Sequence, residues 1–113
     1  LIQCSTTIEI GKRAIFGQAL QIADGSHRFR DWTTDLLDQG YDFRPITIGD
    51  NVLVHSKCTV VADIGQAAVV GANSLVNKPV PAYCLVGGVP AKVLEYFGPP
   101  DQRPPELDVE RHA

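Results

Sequence analysis

Residues 45–61 read PITIGDNVLVHSKCTVV, and within them Ile48, Val54 and Val60 stand six residues apart. A strand alternates with period 2 and a helix repeats at 3.6, so a sustained period of six implies short straight segments joined by regular turns and stacked coil upon coil. The beat extends both ways: Cys4, Ile10, Phe16 and Ile22 precede it, and Ile64, Val70 and Val76 follow. The next residue after each is often small (Ser5, Gly11, Gly17, Ala23, Gly49, Gly65, Gly71), and the fourth is Ile8, Ala14, Leu20, Val52, Cys58, Ala68, Ser74 or Val80. These two recurring positions are expected to face inward. The pattern predicts an all-β chain, a parallel β-helix of hexapeptide repeats. Burial of each large aliphatic would contribute roughly 1.5–3 kcal/mol, and small residues suit the sharp bends. Such a stack needs about three repeats before neighbours cover each other's apolar faces, and its ends need caps.

The chain has 113 residues, 44% hydrophobic and 20% charged, with a net charge of −3. That balance fits one small domain and gives no electrostatic footprint for nucleic acid. The chain lacks Met and opens in mid-pattern at Leu1, which predicts that earlier coils or a cap precede it. No stretch reads as a signal peptide or a membrane span. Cys4, Cys58 and Cys84 have neither metal-type spacing nor the even count of a disulfide framework, so a reducing cytoplasm is the expected setting. Cys4 and Cys58 fall on inward positions and are expected to be small buried hydrophobes.

The repeat is broken once, by residues 24–44, DGSHRFRDWTTDLLDQGYDFR. A regular solenoid has little structural need for so long a loop, which makes it the place to look for chemistry. His27 stands near its root, and an imidazole that titrates near neutral pH suits a general base. Of the loop acids Asp24, Asp31, Asp35, Asp38 and Asp42, any could accept from the imidazole and fix its tautomer. Phe29, Trp32, Tyr41 and Phe43 could stack on an acceptor or hold the loop against a neighbouring subunit. Downstream, Pro90 suits the first turn of a short C-terminal helix over residues 90–97, with Val93, Leu94 and Phe97 on one face. This divides the chain into a repeat domain over residues 1–97 and a polar, proline-rich tail over residues 98–113, too polar to supply core.

The runs IADGSH (residues 22–27), PITIGDNV (45–52), VVGANSLVNKPVPAY (69–83) and GGVPAKVL (87–94), in that order, resemble the hexapeptide-repeat acetyltransferases. The nearest members are the sugar and xenobiotic O-acetyltransferases. The resemblance implies a left-handed coil, a homotrimer with active sites between subunits, and acetyl-CoA as acetyl donor, with no metal. It makes His27 the base that deprotonates an acceptor hydroxyl and places the Ser56 backbone N–H at the developing oxyanion. Asp24 is its first choice for orienting His27, since I-x-D-x-x-H recurs in sugar-acetylating relatives. Ala72, Asn73 and Ser74 match the coil along the pantetheine arm, and Lys78 and Lys92 match basic positions near the CoA phosphates.

The implied acceptor is a sugar, a nucleotide-linked sugar or a polysaccharide precursor. One histidine base serves an alcohol or an amine equally, so O- and N-acetylation are not distinguished. Two departures favour an alternative, a non-catalytic trimeric scaffold. Many relatives have Trp and Gly where this chain has Leu53 and His55, and the beat contracts from six to four between Val60 and Ile64. His55 reads as a turn residue. A zinc site of three histidines is disfavoured, because His27, His55 and His112 lack the spacing.

Overall fold

The computed structural model describes residues 1–107. The first coil contains β1 (Ile2–Gln3), β2 (Ile8–Ile10) and β3 (Ile15–Phe16), and the second opens with β4 (Gln21–Ala23). A hairpin of β5 (Gly25–His27) and β6 (Tyr41–Phe43) interrupts before β7 (Ile46–Ile48) and β8 (Leu53–Val54) complete that coil. Then follow β9 (Thr59–Val60), β10 (Val69–Val70), β11 (Leu75–Val76), β12 (Cys84–Gly87) and β13 (Lys92–Tyr96).

The strands stack into the three faces of a prism. The first face has the order β1-β4-β9-β11, and the third has β13-β12-β10-β8-β3. The second pairs β2 with β7 and continues through single bridges from Ile48 to Ile64 and from Ile64 to Val80. All these contacts are parallel except the one between β12 and β13. The beat therefore marks a column of stacked side chains on each face: Ile22, Val60 and Val76 on the first, Ile48, Ile64 and Val80 on the second, Val54, Val70 and Val86 on the third. All nine are buried in one core. At the bends, Arg13, Ala19, Asn51, Lys57, Ala67, Asn73 and Tyr83 adopt positive φ, a conformation costly for non-glycine residues unless the surrounding ladder holds it. These residues occupy the second-to-third and third-to-first corners.

Cys4 is a correction: β1 pairs Ile2 with Ile22, which puts Cys4 two residues out of phase and leaves it exposed, whereas Cys58 is buried. The spacing from Val60 to Ile64 recurs from Val76 to Val80, one coil later and at the same corner, so the contraction is a repeated feature of the first-to-second corner.

The expected helix over residues 90–97 is a strand. After the cis Val89–Pro90 bond the chain reverses, and β13 runs antiparallel along β12, pairing Val86 with Val93 and Cys84 with Tyr96. A helix there would have left that edge of the last coil without hydrogen-bond partners. The outcome for side chains differs accordingly: Val93 packs on the core while Leu94 and Phe97 are exposed. Nor is the described part of the tail free of core, because Leu107 is 4% exposed and joins the hydrophobic cluster. The Tyr96 hydroxyl donates to the Pro99 carbonyl, and the Arg103 guanidinium lies 5.5 Å from the Tyr96 ring centroid. The rest of the expected tail, residues 108–113, lies outside the described residues, as does His112.

Candidate active site

Parallel stacking in register sets one residue above another at every corner. At the third-to-first corner the column reads Gln18, Ser56, Ala72 and Gly88, following the pairs Phe16 with Val54, Val54 with Val70, and Val70 with Val86. Gly17 allows the approach here, since a Cβ on it would lie 2.5 Å from the Ser56 nitrogen. The coil above also caps the coil below. The Gln18 N–H donates to the Ser56 Oγ at 3.0 Å, the Lys12 N–H to the Asp50 Oδ1 at 2.7 Å, and the Thr47 N–H to the Asp63 Oδ1 at 2.8 Å. The amides of Ser56 and Ala72, by contrast, donate to no group among the described residues.

Beneath this corner lies a small polar network. The Gly71 carbonyl accepts from the Cys58 thiol at 3.1 Å and from the Ser74 hydroxyl at 2.6 Å, and the Ser74 Oγ accepts from the Gly88 N–H at 3.2 Å. Cys58 and Ser74 are buried, so the Gly71 carbonyl is held from inside the prism. Across a trans peptide the next N–H points the opposite way, which directs the Ala72 amide outward. Asn73 is exposed, and its N–H is spent on the Ser56 carbonyl at 3.0 Å. Lys92, opposite Gly87 on β13, is exposed near the upper end of this column.

His27 belongs to the first-to-second corner, where the chain leaves the prism as the hairpin. Alternation along β5 and β6 gives the hairpin two unlike faces. His27 stands opposite Tyr41, with ring centroids 4.4 Å apart and planes 41° apart, and Tyr41 stacks on Phe43 at 5.5 Å. Ser26 stands opposite Asp42 on the other face, where the Arg28 Nε donates to the Asp42 Oδ1 at 2.8 Å. His27, Tyr41 and Phe43 line a cavity of about 240 Å³ together with Gln3, Ser5 and Asp24. The cavity behind, about 490 Å³, is lined by Arg28, Phe29, Arg30, Asp31, Asp42 and neighbouring residues.

Asp24 plays a different part from the one expected. Its carboxylate accepts from the Ser5 N–H at 2.8 and 2.9 Å, from the Thr6 N–H at 2.6 Å and from the Thr6 hydroxyl at 2.8 Å. It is another cap set by the coil above on the coil below, and it bolts the root of the hairpin to the first coil. The Thr6 N–H holds the carboxyl below its ordinary value, against the opposing effect of burial and with help from Ser5 and the Thr6 hydroxyl. Donors from an adjacent coil claimed this carboxylate before a loop imidazole could. Asp31 is held low too, by the Thr33 and Thr34 hydroxyls, in a turn that shapes the loop.

The residues singled out from the sequence thus separate into two groups. Ser56, Ala72, Asn73, Ser74 and Lys92 gather at the third-to-first corner, while His27 and Asp24 stand at the first-to-second corner, where Lys78 lies two coils higher. Residues 57–61 span the face between them, about four steps of roughly 3.3 Å. The cavity that His27 lines does not include Ser56. His55 is exposed on the Ser56 corner, one face away from His27. Tyr41 as the neighbour of His27, and the hold of Cys58 and Ser74 on Gly71, had no sequence signal beyond loop aromatics and a serine at an inward position.

No family model matches the chain. A probable acetyltransferase of Mycobacterium tuberculosis is 33% identical over 90 residues, covering 78% of this chain and 30% of that protein. The chain belongs to the hexapeptide-repeat acetyltransferases. Among solved structures, a galactoside acetyltransferase in complex with coenzyme A superposes with a TM-score of 0.77 at 27% identity, over 92% of this chain and 52% of that one. A hexapeptide-repeat acetyltransferase of Vibrio cholerae complexed with acetyl-CoA gives 0.70 at 27% identity, over 87% of this chain and 64% of that one. The chain spans about 30% of the length of that curated relative. Among the described residues no helix is long and apolar enough to cross a membrane.

Proposed function

We propose that this chain forms the donor-binding and catalytic part of an acetyl-CoA-dependent O-acetyltransferase whose acceptor is a sugar, a nucleotide-linked sugar or a polysaccharide precursor. The observation that carries the reading is the likeness, over 92% of the chain, to a galactoside acetyltransferase holding coenzyme A. The third-to-first corner fits such a donor. Its column ends in Ala72 and Gly88, with no side chain beyond a Cβ to obstruct an extended arm, and it offers two unspent amides and the Lys92 ammonium.

In the proposed reaction His27 takes the proton of the acceptor hydroxyl, whose oxygen bonds to the thioester carbonyl carbon. The Ser56 N–H meets the oxyanion. The C–S bond then breaks, and His27 returns the proton to the departing thiolate. Because His27 and Ser56 occupy different corners of one chain, the site is assembled between chains of a homotrimer, the first-to-second corner of one against the third-to-first corner of the next.

Calorimetric titration with acetyl-CoA tests the donor half without any choice of acceptor. Saturable binding, retained in His27→Ala and weakened in Lys92→Ala, is the expected result. A folded protein that takes up no acetyl-CoA would overturn the proposal.

A further inference from the structure

Short side chains with an oxygen recur as caps between coils, and the Ser56 amide lacks one. At four places a side-chain oxygen one coil above caps an amide of the coil below: Asp24 over Ser5 and Thr6, Asp50 over Lys12, Ser56 over Gln18, and Asp63 over Thr47. Ser56 sits at the same corner position as Gln18, and the residue above it is Ala72. An alanine has no oxygen to give. The amides of Asp50 and Gln66 are also unspent, at the second-to-third corner beneath Gln66 and Ala82. What sets the Ser56 and Ala72 pair apart is the Gly71 carbonyl, held from the interior by Cys58 and Ser74, which aims the Ala72 amide outward above the Ser56 amide. The result is an outward donor on Ala72 one coil above an unspent amide on Ser56, about 4.8 Å apart in one column.

We propose that Ala72 is a positioning residue which keeps the Ser56 amide open for the reaction's oxyanion by withholding the cap that this fold places elsewhere. The inference rests on the functional reading above and deepens it, giving a reason for alanine at this place other than close approach of the donor. In the repeat's geometry a serine at position 72 would reach the Ser56 N–H as Ser56 reaches Gln18, at about the same 3.0 Å. One added oxygen would close the oxyanion site with a hydrogen bond and no strain.

The test compares Ala72→Ser with Ala72→Val in the whole chain by hydrogen exchange at the Ser56 amide, thermal stability, and steady-state kinetics with acetyl-CoA and a sugar acceptor. Ala72→Ser is expected to slow exchange at Ser56, leave the melting temperature unchanged or higher, and lower kcat by about 10²–10³ with little change in the KM for acetyl-CoA. Ala72→Val is bulkier but carries no acceptor. It should leave Ser56 exchange unchanged and act mainly on the KM. Unaltered Ser56 exchange in Ala72→Ser overturns the inference, as does a slowed amide with normal kcat, or a Val variant whose kcat falls as far as that of Ser. A wild-type protein that transfers no acetyl group overturns the functional reading instead, and the exchange measurement still decides whether the cap forms.

Discussion

The third-to-first and first-to-second corners are made by the same repeat, yet they handle spacing in opposite ways. From Phe16 to Ile22, Val54 to Val60 and Val70 to Val76 the step across the third-to-first corner is always six residues. Across the first-to-second corner the inward residues run Ile2 to Ile10, Ile22 to Ile48, Val60 to Ile64 and Val76 to Val80, and no hexad appears among them. The constant corner carries positive-φ bends and stacked amides, so every coil must repeat if donors are to align. At the variable corner the hairpin enters above one wide step and below two short ones. The cavity beside the hairpin, lined by Ala23, Asp24, Phe43 and Val61, lies against the first of those short steps. A solenoid that fixes two corners can vary the third, and in the proposed reaction variation and acceptor chemistry share a corner while regularity and donor chemistry share another.

The largest expected effect bears on the variable corner. His27→Ala should lower kcat by about 10²–10⁴ while calorimetry shows acetyl-CoA affinity unchanged, separating the base from the donor column. A near-normal rate would move the base elsewhere, with His55 next, and that would place both functions on the constant corner. The pairing between chains can be tested next. Mixed and reassembled, His27→Ala and Ala72→Ser chains should regain a fraction of wild-type turnover that neither shows alone, since some sites would join an intact His27 to an open Ser56. Mixtures no better than their parents would confine the site to one chain.

Stability should sort the same way. Val54→Ala, at a fully buried position in the constant stack, is expected to cost about 2–3 kcal/mol in denaturant unfolding. Val61→Ala, 41% exposed on the short step, should cost less than about 0.5 kcal/mol. Similar losses at both would mean that the variable corner is packed as tightly as the rest.

The smallest effect concerns Asp24. Its carboxyl titrates below its ordinary value of 3.8 in the folded chain, so its contribution is present above that pH and is lost as pH falls through the folded value. Asp24→Asn should therefore flatten the acid limb of melting temperature against pH below about 4, and the hairpin root should loosen in hydrogen exchange. An unchanged acid limb would show that Ser5 and Thr6 do not hold it.

Much of the fold was legible before any coordinates. Inward stacks such as Val54, Val70 and Val86 repeat at a fixed interval because parallel coils in register demand it, and period is a local property of a sequence. The helix expected over residues 90–97 failed for the complementary reason: Pro90 and the apolar Val93, Leu94 and Phe97 suit a helix locally, but the open edge of β12 offered hydrogen bonds that only a strand accepts. Asp24 stood out beside His27 in the sequence, and its carboxylate went to the donors on Ser5 and Thr6, nearly twenty residues away along the chain but adjacent in space.

The sequence by itself determined that this chain coils, which side chains fill the prism, where the coil is interrupted and which chemistry-bearing residues it carries, because each is written in spacing and residue type. Tertiary structure decided which amides are capped and which stay open, that the Asp24 carboxylate caps Ser5 and Thr6, and that His27 and the column of Ser56 and Ala72 occupy separate corners. Those outcomes depend on what stands one coil above, and residues 38 or 16 positions apart become neighbours only when the stack closes in register.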